Sequence, residues 1–207
     1  MKKLRSKKGF TLVEMIVVIA IIGVLAAILI PTMVGYVVRA HVADINSTAG
    51  KMRDNVSYFM TQAGSEGYGM FRTSTAICDV TVTVVNKEWT VTTSTQSCFL
   101  SQYATMWTGS GTADIDKVVN IQNAEERMAS YFANTFREVE KAYCEFRLVG
   151  GVCHALYFTD EQSTPMTDMP PFGAVSEWDT TNFMWKDGEI GISPDGIIVG
   201  TSPVIVV

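Results

Sequence analysis

The densest apolar block of the chain runs from Phe10 to Val38. Between Met15 and Ile30 it carries no charge and a single glycine, Gly23. Extended to Val38, it is interrupted only by Gly23, Pro31, Thr32, Gly35 and Tyr36. Roughly 20 such residues, wound as a helix, cross a bilayer core. The block therefore predicts a membrane-crossing helix over residues 10–38. Beyond it the pattern changes rather than stops. Val42, Ile45, Ala49, Met52, Val56, Phe59 and Ala63 recur alternately three and four positions apart. That is the stripe of an amphipathic helix. Arg39, Asp44, Asn46, Lys51, Arg53 and Asp54 fill its other faces, and Gly64-Ser65-Glu66-Gly67 closes it. At 1.5 Å per residue the combined helix is roughly 80 Å long. It is apolar all round over 10–38 and striped over 39–64. A coiled coil would share the stripe, but only three heptads are present.

Residues 65–207 read as a globular head. Ala76–Thr95 alternates apolar and polar and is rich in Val and Thr, with Asn86-Lys87 between two such runs. This predicts a β-hairpin. Ser101–Ala113 reads as a loop. Asn123, with Glu126 three residues on, has the spacing of a helix capping box. The stripe behind it, Ala124, Met128, Tyr131, Phe132, Thr135, Phe136, Val139, Ala142 and Tyr143, predicts a second helix reaching Tyr143. After the Gly150-Gly151 turn, Val152–Thr159 reads as a strand, and Gln162–Phe172 as a proline-bearing loop. Glu189–Gly200 predicts two strands around a Pro194-Asp195-Gly196 turn. The expected class is α+β: a long N-terminal helix packed on antiparallel strands with a second helix.

Charge sharpens the membrane reading. Lys2, Lys3, Arg5, Lys7 and Lys8 fall in the first nine residues, which hold no acid. Such a basic flank stays cytoplasmic and sends the bulk of the chain across the membrane. Without that flank, 11 cations of the 16 face 21 acids. A product that acidic is a poor binder of nucleic-acid backbones. A secretory signal cut near Ala26-Ala27, or a plain anchor helix, would account for the apolar run. Neither accounts for Glu14, a carboxylate at its edge. Placed mid-membrane, such a group costs about 2.5 kcal/mol or more, and it marks function by default.

Lys8-Gly9-Phe10-Thr11-Leu12-Val13-Glu14 resembles the cleavage and methylation motif of type IV pilins and type II secretion pseudopilins. The resemblance covers roughly the first 55 residues. It implies that residues 1–9 are a leader and that a membrane-bound prepilin peptidase cuts between Gly9 and Phe10. It also implies that the same enzyme methylates the new amino terminus at Phe10. Gly23 and Pro31 fall where the family has a helix glycine and a helix proline. The implied function is a structural subunit of a type IV pilus-like filament. A secretion pseudopilin, or a minor pilin with a binding head, shares the same motif. The implied partners are the prepilin peptidase, other pilin subunits and the cytoplasmic membrane. The subunit would be single-pass with its N-terminus inside, then extracellular or periplasmic once in a filament. No cofactor is implied.

Elementary physics fits the motif. Gly9 lets an enzyme cleft approach the backbone closely. Cleavage leaves a positive α-amino group about one helical turn from Glu14. In a stack of helices, the carboxylate of one subunit can neutralise the terminus of its neighbour, and apolar surroundings strengthen that pairing. Gly23 and Pro31 weaken the helix between them. They are either tolerated irregularities or a stretch that bends on assembly.

The four cysteines, Cys78, Cys98, Cys144 and Cys153, all lie in the head, where thiols can oxidise. Three pairings are possible. Cys78–Cys98 across the hairpin, and Cys144–Cys153 around Gly150-Gly151, are favoured. Zinc would want CxxC-type spacing or nearby histidines, and only His154 adjoins a cysteine. Asp187-Gly188-Glu189 and Asp195-Gly196 are oxygen-rich turns without the EF-hand pattern. No nucleophile triad or phosphate loop can be assembled, so no catalytic residue and no metal site is expected, and the chain reads as a non-enzyme.

Overall fold

A computed structural model describes residues 9–102, 104–114, 123–166, 169, 171–173, 178–180 and 183–205. The basic residues before Gly9 and part of the expected Gln162–Phe172 loop lie outside these residues. The described chain forms two compact units, residues 1–40 and 41–207.

The first helix, α1, spans Leu12–Ser65 without a break, with Pro31 inside it. Near the proline, the Thr32 hydroxyl donates to the Leu29 carbonyl oxygen at 2.9 Å. In the first unit, the stretch long and apolar enough to cross a membrane contains no buried residue. In the second unit, the same helix buries Ile45, Ala49, Met52, Val56, Phe59 and Ala63. These are the expected stripe positions, with Met60 added and Val42 only half-buried.

The second unit is built on one antiparallel sheet. Its strands are β1 (Ile77–Val85), β2 (Glu88–Thr93), β3 (Ser110–Asp114), β4 (Lys141–Val149), β5 (Val152–Thr159) and β6 (Gly200–Ser202). Their order across the sheet is β3-β2-β1-β4-β5-β6. The β1–β2 hairpin turns at Asn86 and Lys87, whose φ values of 52° and 67° make the tight left-handed turn. A helix α2 (Ala124–Thr135) packs on the same face of the sheet as residues 41–65 of α1. Val80, Val82, Val84, Phe146, Leu148 and Leu156 point into that layer. Trp89 lies against Phe132 and Phe136, and Tyr131 against Phe59. A smaller cluster, Tyr143, Tyr157, Met166, Trp185, Val199 and Ile205, forms elsewhere in the head.

Three sequence expectations need correction. The second helix stops at Thr135, and Lys141–Val149 is a strand in the middle of the sheet. The Phe136–Tyr143 spacing suits a helix. From Ala142 onward, however, Ala142, Cys144, Phe146 and Leu148 are buried on alternate positions, which is strand periodicity. No glycine or proline separates the two patterns. The Ser101–Ala113 loop contains a short helical turn at Ala104–Met106 and the start of edge strand β3. The two strands expected around Pro194-Asp195-Gly196 reduce to a single bridge, Ile192 with Ile198. The turn itself is present, closed by Gly196 N–H to the Ser193 carbonyl at 2.8 Å.

The short β6 edge is covered by α1. Thr201 N–H donates to Asn46 Oδ1 at 2.9 Å. Gly200 lies so close to the Ile45 carbonyl that a side chain there would collide with the helix backbone.

Candidate assembly site at the N-terminus

The first described residues, Gly9, Phe10 and Thr11, precede the helix. Phe10 is 80% exposed. Thr11 caps α1 reciprocally with Glu14. The Glu14 N–H donates to Thr11 Oγ1 at 3.3 Å, and Thr11 N–H donates to Glu14 Oε2 at 2.7 Å. The Thr11 hydroxyl donates to the same carboxylate oxygen at 2.7 Å. This is a capping box, which satisfies backbone donors that the first helical turn leaves open. The carboxylate also sits at the positive end of the helix dipole. The structure thus places Gly9 and Phe10 just ahead of the first helical turn, which holds Glu14. It adds Thr11, whose Thr-x-x-Glu spacing ahead of an apolar run was readable in the sequence.

Gly23 and Pro31 lie farther along the exposed apolar length, and a side chain at Gly23 would meet nothing within 4 Å. Around them stand Ile16, Ile19, Ile22, Leu25, Leu29 and Ile30, each roughly half or more exposed. An apolar surface of this extent belongs in lipid or against other helices.

The cysteines separate into different environments. Cys78 and Cys98 share one acceptor, the Thr95 carbonyl, at 3.4 and 3.2 Å. Cys144 stands opposite Phe158, and Cys153 opposite Leu148. Four ladder positions, about 13 Å at 3.3 Å each, separate them along β4. A disulfide needs Cα atoms closer than about 7 Å. The Cys144–Cys153 pairing read from sequence does not fit this register. All four thiols are free in the structure.

Among the described residues, no three His, Cys, Asp or Glu side chains gather as metal ligands would. His41 lies 3.6 Å from Asp160. The sheet also presents a polar group that sequence reasoning missed. Arg147 pairs with both carboxylate oxygens of Asp79 at 2.6 and 2.7 Å. Glu145 accepts from the hydroxyls of Tyr143 and Tyr157. Burial, followed by the Glu145 charge, holds both phenols well above their ordinary range.

Comparison with known proteins addresses the N-terminal site. The family described as the prokaryotic N-terminal methylation motif matches residues 4–30. That window contains Gly9, Phe10, Thr11, Glu14 and Gly23. The N-terminal segment is therefore similar to that of type IV pilins. A type IV major fimbrial protein of Dichelobacter nodosus is 44% identical over 65 residues, 31% of this chain and 41% of that protein. The fimbrial protein EcpC of Eikenella corrodens is 43% identical over 58 residues, 28% of this chain and 38% of its own. The type IV narrow pilus major component of Thermus thermophilus is 41% identical over 56 residues, 27% of this chain and 48% of its own. The pilin likeness thus spans less than half the length of each of these relatives. No solved structure matches the chain.

Proposed function

We propose that the chain is a structural subunit of a type IV pilus-like filament, made as a prepilin. The leader ending at Gly9 is removed by a prepilin peptidase, and Phe10 becomes the methylated first residue. Before assembly, residues 10–38 hold the subunit in the cytoplasmic membrane, with the leader inside and the head outside. In the filament they pack against the same segment of other subunits. The observation that carries this reading is the methylation-motif match over residues 4–30, which coincides with the uncovered apolar part of α1. The head is one antiparallel sheet with α2 packed against it. The relatives bear the names of major pilins and fimbrial proteins, which favours a pilus over a secretion pseudopilus.

Glu14 is the register element of this reading. In the single chain its carboxylate is held by Thr11. In a stack it also meets the freed α-amino group of a neighbouring Phe10. Losing it leaves that buried ammonium without a counter-charge, which is expensive in apolar surroundings. Labelling of sheared surface filaments with antibody to the head tests the proposal. The unaltered chain is expected in filaments, and Glu14→Leu is expected in the membrane at normal abundance but absent from filaments. A chain never found in filaments, with its head on the cytoplasmic side, would overturn the reading.

A further inference from the structure

Cys78 opens the inner face of β1, and Cys98 sits in the bend after β2. That bend is fastened to the connector that follows α1. Arg72 N–H donates to the Cys98 carbonyl at 2.7 Å, Leu100 N–H donates to the Met70 carbonyl at 2.9 Å, and Phe71 bridges Phe99. Each of the two thiols is the strongest influence on the other's titration. Both sulfurs also lie against the Thr95 carbonyl oxygen. The other candidate partners are distant. Leu148 separates Cys78 from Cys153 across the sheet, two strand spacings or about 9.6 Å. Cys144 stands opposite Val82, four positions along β1 from Cys78.

We infer that the head carries one disulfide, Cys78–Cys98, and that Cys144 and Cys153 remain thiols. The bond ties the start of β1 to the bend after β2, and through that bend to the connector leaving α1. Its formation is a thiol–disulfide exchange with a disulfide donor, either an oxidoreductase or a small disulfide. The Cys98 thiolate attacks the donor and releases one donor thiol. Cys78 then gives up its proton, attacks the mixed disulfide and releases the second. Two electrons and two protons pass to the donor. The order follows from the environments, since the neighbouring Cys78 thiol lowers Cys98, and Cys98 in turn raises Cys78. Burial raises Cys144 and pushes Cys153 up to about 12, so neither offers a thiolate near neutral pH.

The proposed export of residues 65–207 decides only where the oxidant is met. The test is therefore run on the purified full chain, and its failure would leave the filament reading standing. The chain, folded in detergent with oxidised glutathione, is denatured and alkylated without reduction, and its peptides are mapped. Two of the four cysteines, Cys144 and Cys153, are expected to be alkylated, with a Cys78–Cys98 cross-linked peptide. Alkylation of all four, or a cross-link that contains Cys144 or Cys153, would overturn the inference.

Discussion

Glu125 has no exposed surface, yet it is a carboxylate. It sits in the first turn of α2, where the helix dipole favours negative charge. It accepts from Thr93 Oγ1 at 2.9 Å, Gly109 N–H at 2.8 Å and Thr108 N–H at 3.2 Å. One side chain thereby fastens β2, the approach to β3 and α2 together. Glu125→Ala would leave three donors without their acceptor, at a cost of roughly 3–5 kcal/mol. Glu125→Gln keeps the shape and one acceptor, and should cost clearly less. Urea unfolding in detergent, followed by tryptophan fluorescence, orders the variants. Equal stability of Glu125→Ala and the parent would refute the role. Tyr143 and Tyr157 make a second residue-scale case. Their folded pKa values are raised, so the stability they contribute is complete below the ordinary tyrosine value of about 10 and is lost as pH rises above it. Unfolding midpoints measured from pH 8 upward should fall beyond about pH 10, and Tyr157→Phe should flatten that fall.

At the scale of elements, the sequence was most legible where one period held over a long stretch. The stripe from Ile45 to Ala63 appears as expected, because a single face of a helix meets a single sheet. Asn123 and Glu126 form the capping box their spacing implied, with Glu126 N–H donating to Asn123 Oδ1 at 2.7 Å. Asn123→Ala should cost about 1 kcal/mol, readable in the same unfolding measurement. The stretch from Phe136 to Val149 was misread because two periods overlap in it without punctuation. Tertiary pairing decides it. Val80, Val82 and Val84 on β1 face Phe146, Cys144 and Ala142 across the ladder, burying both rows. Phe146→Ala at this junction should cost about 3–5 kcal/mol. A loss well under 1 kcal/mol would mean that β4 is not part of the core. Strand β3 escaped notice because Ser-Gly-Thr-Ala-Asp has turn composition, and its pairing partner supplies the regularity.

Across the whole molecule, the apolar residues fall into two populations. Most of those of the head are buried, chiefly around one sheet, and those of residues 10–38 are left uncovered. A chain with that division is not self-sufficient in water. On the proposed function, residues 10–38 meet lipid before assembly and other helices after it. The methylation motif was legible in sequence, because it depends on local order: Gly9 before Phe10, and Glu14 four residues on. The Cys144–Cys153 pairing was misread, because it depends on register across strands that sequence spacing does not carry. The filament reading turns on Phe10 becoming the first residue after cleavage. The most direct measurement is the mass of the N-terminal peptide, with and without a co-expressed prepilin peptidase. The account predicts an intact leader without the enzyme, and with it a peptide that begins at Phe10 and carries one added methyl group. A leader that persists with the enzyme present, or a cut near Ala26-Ala27, would contradict it.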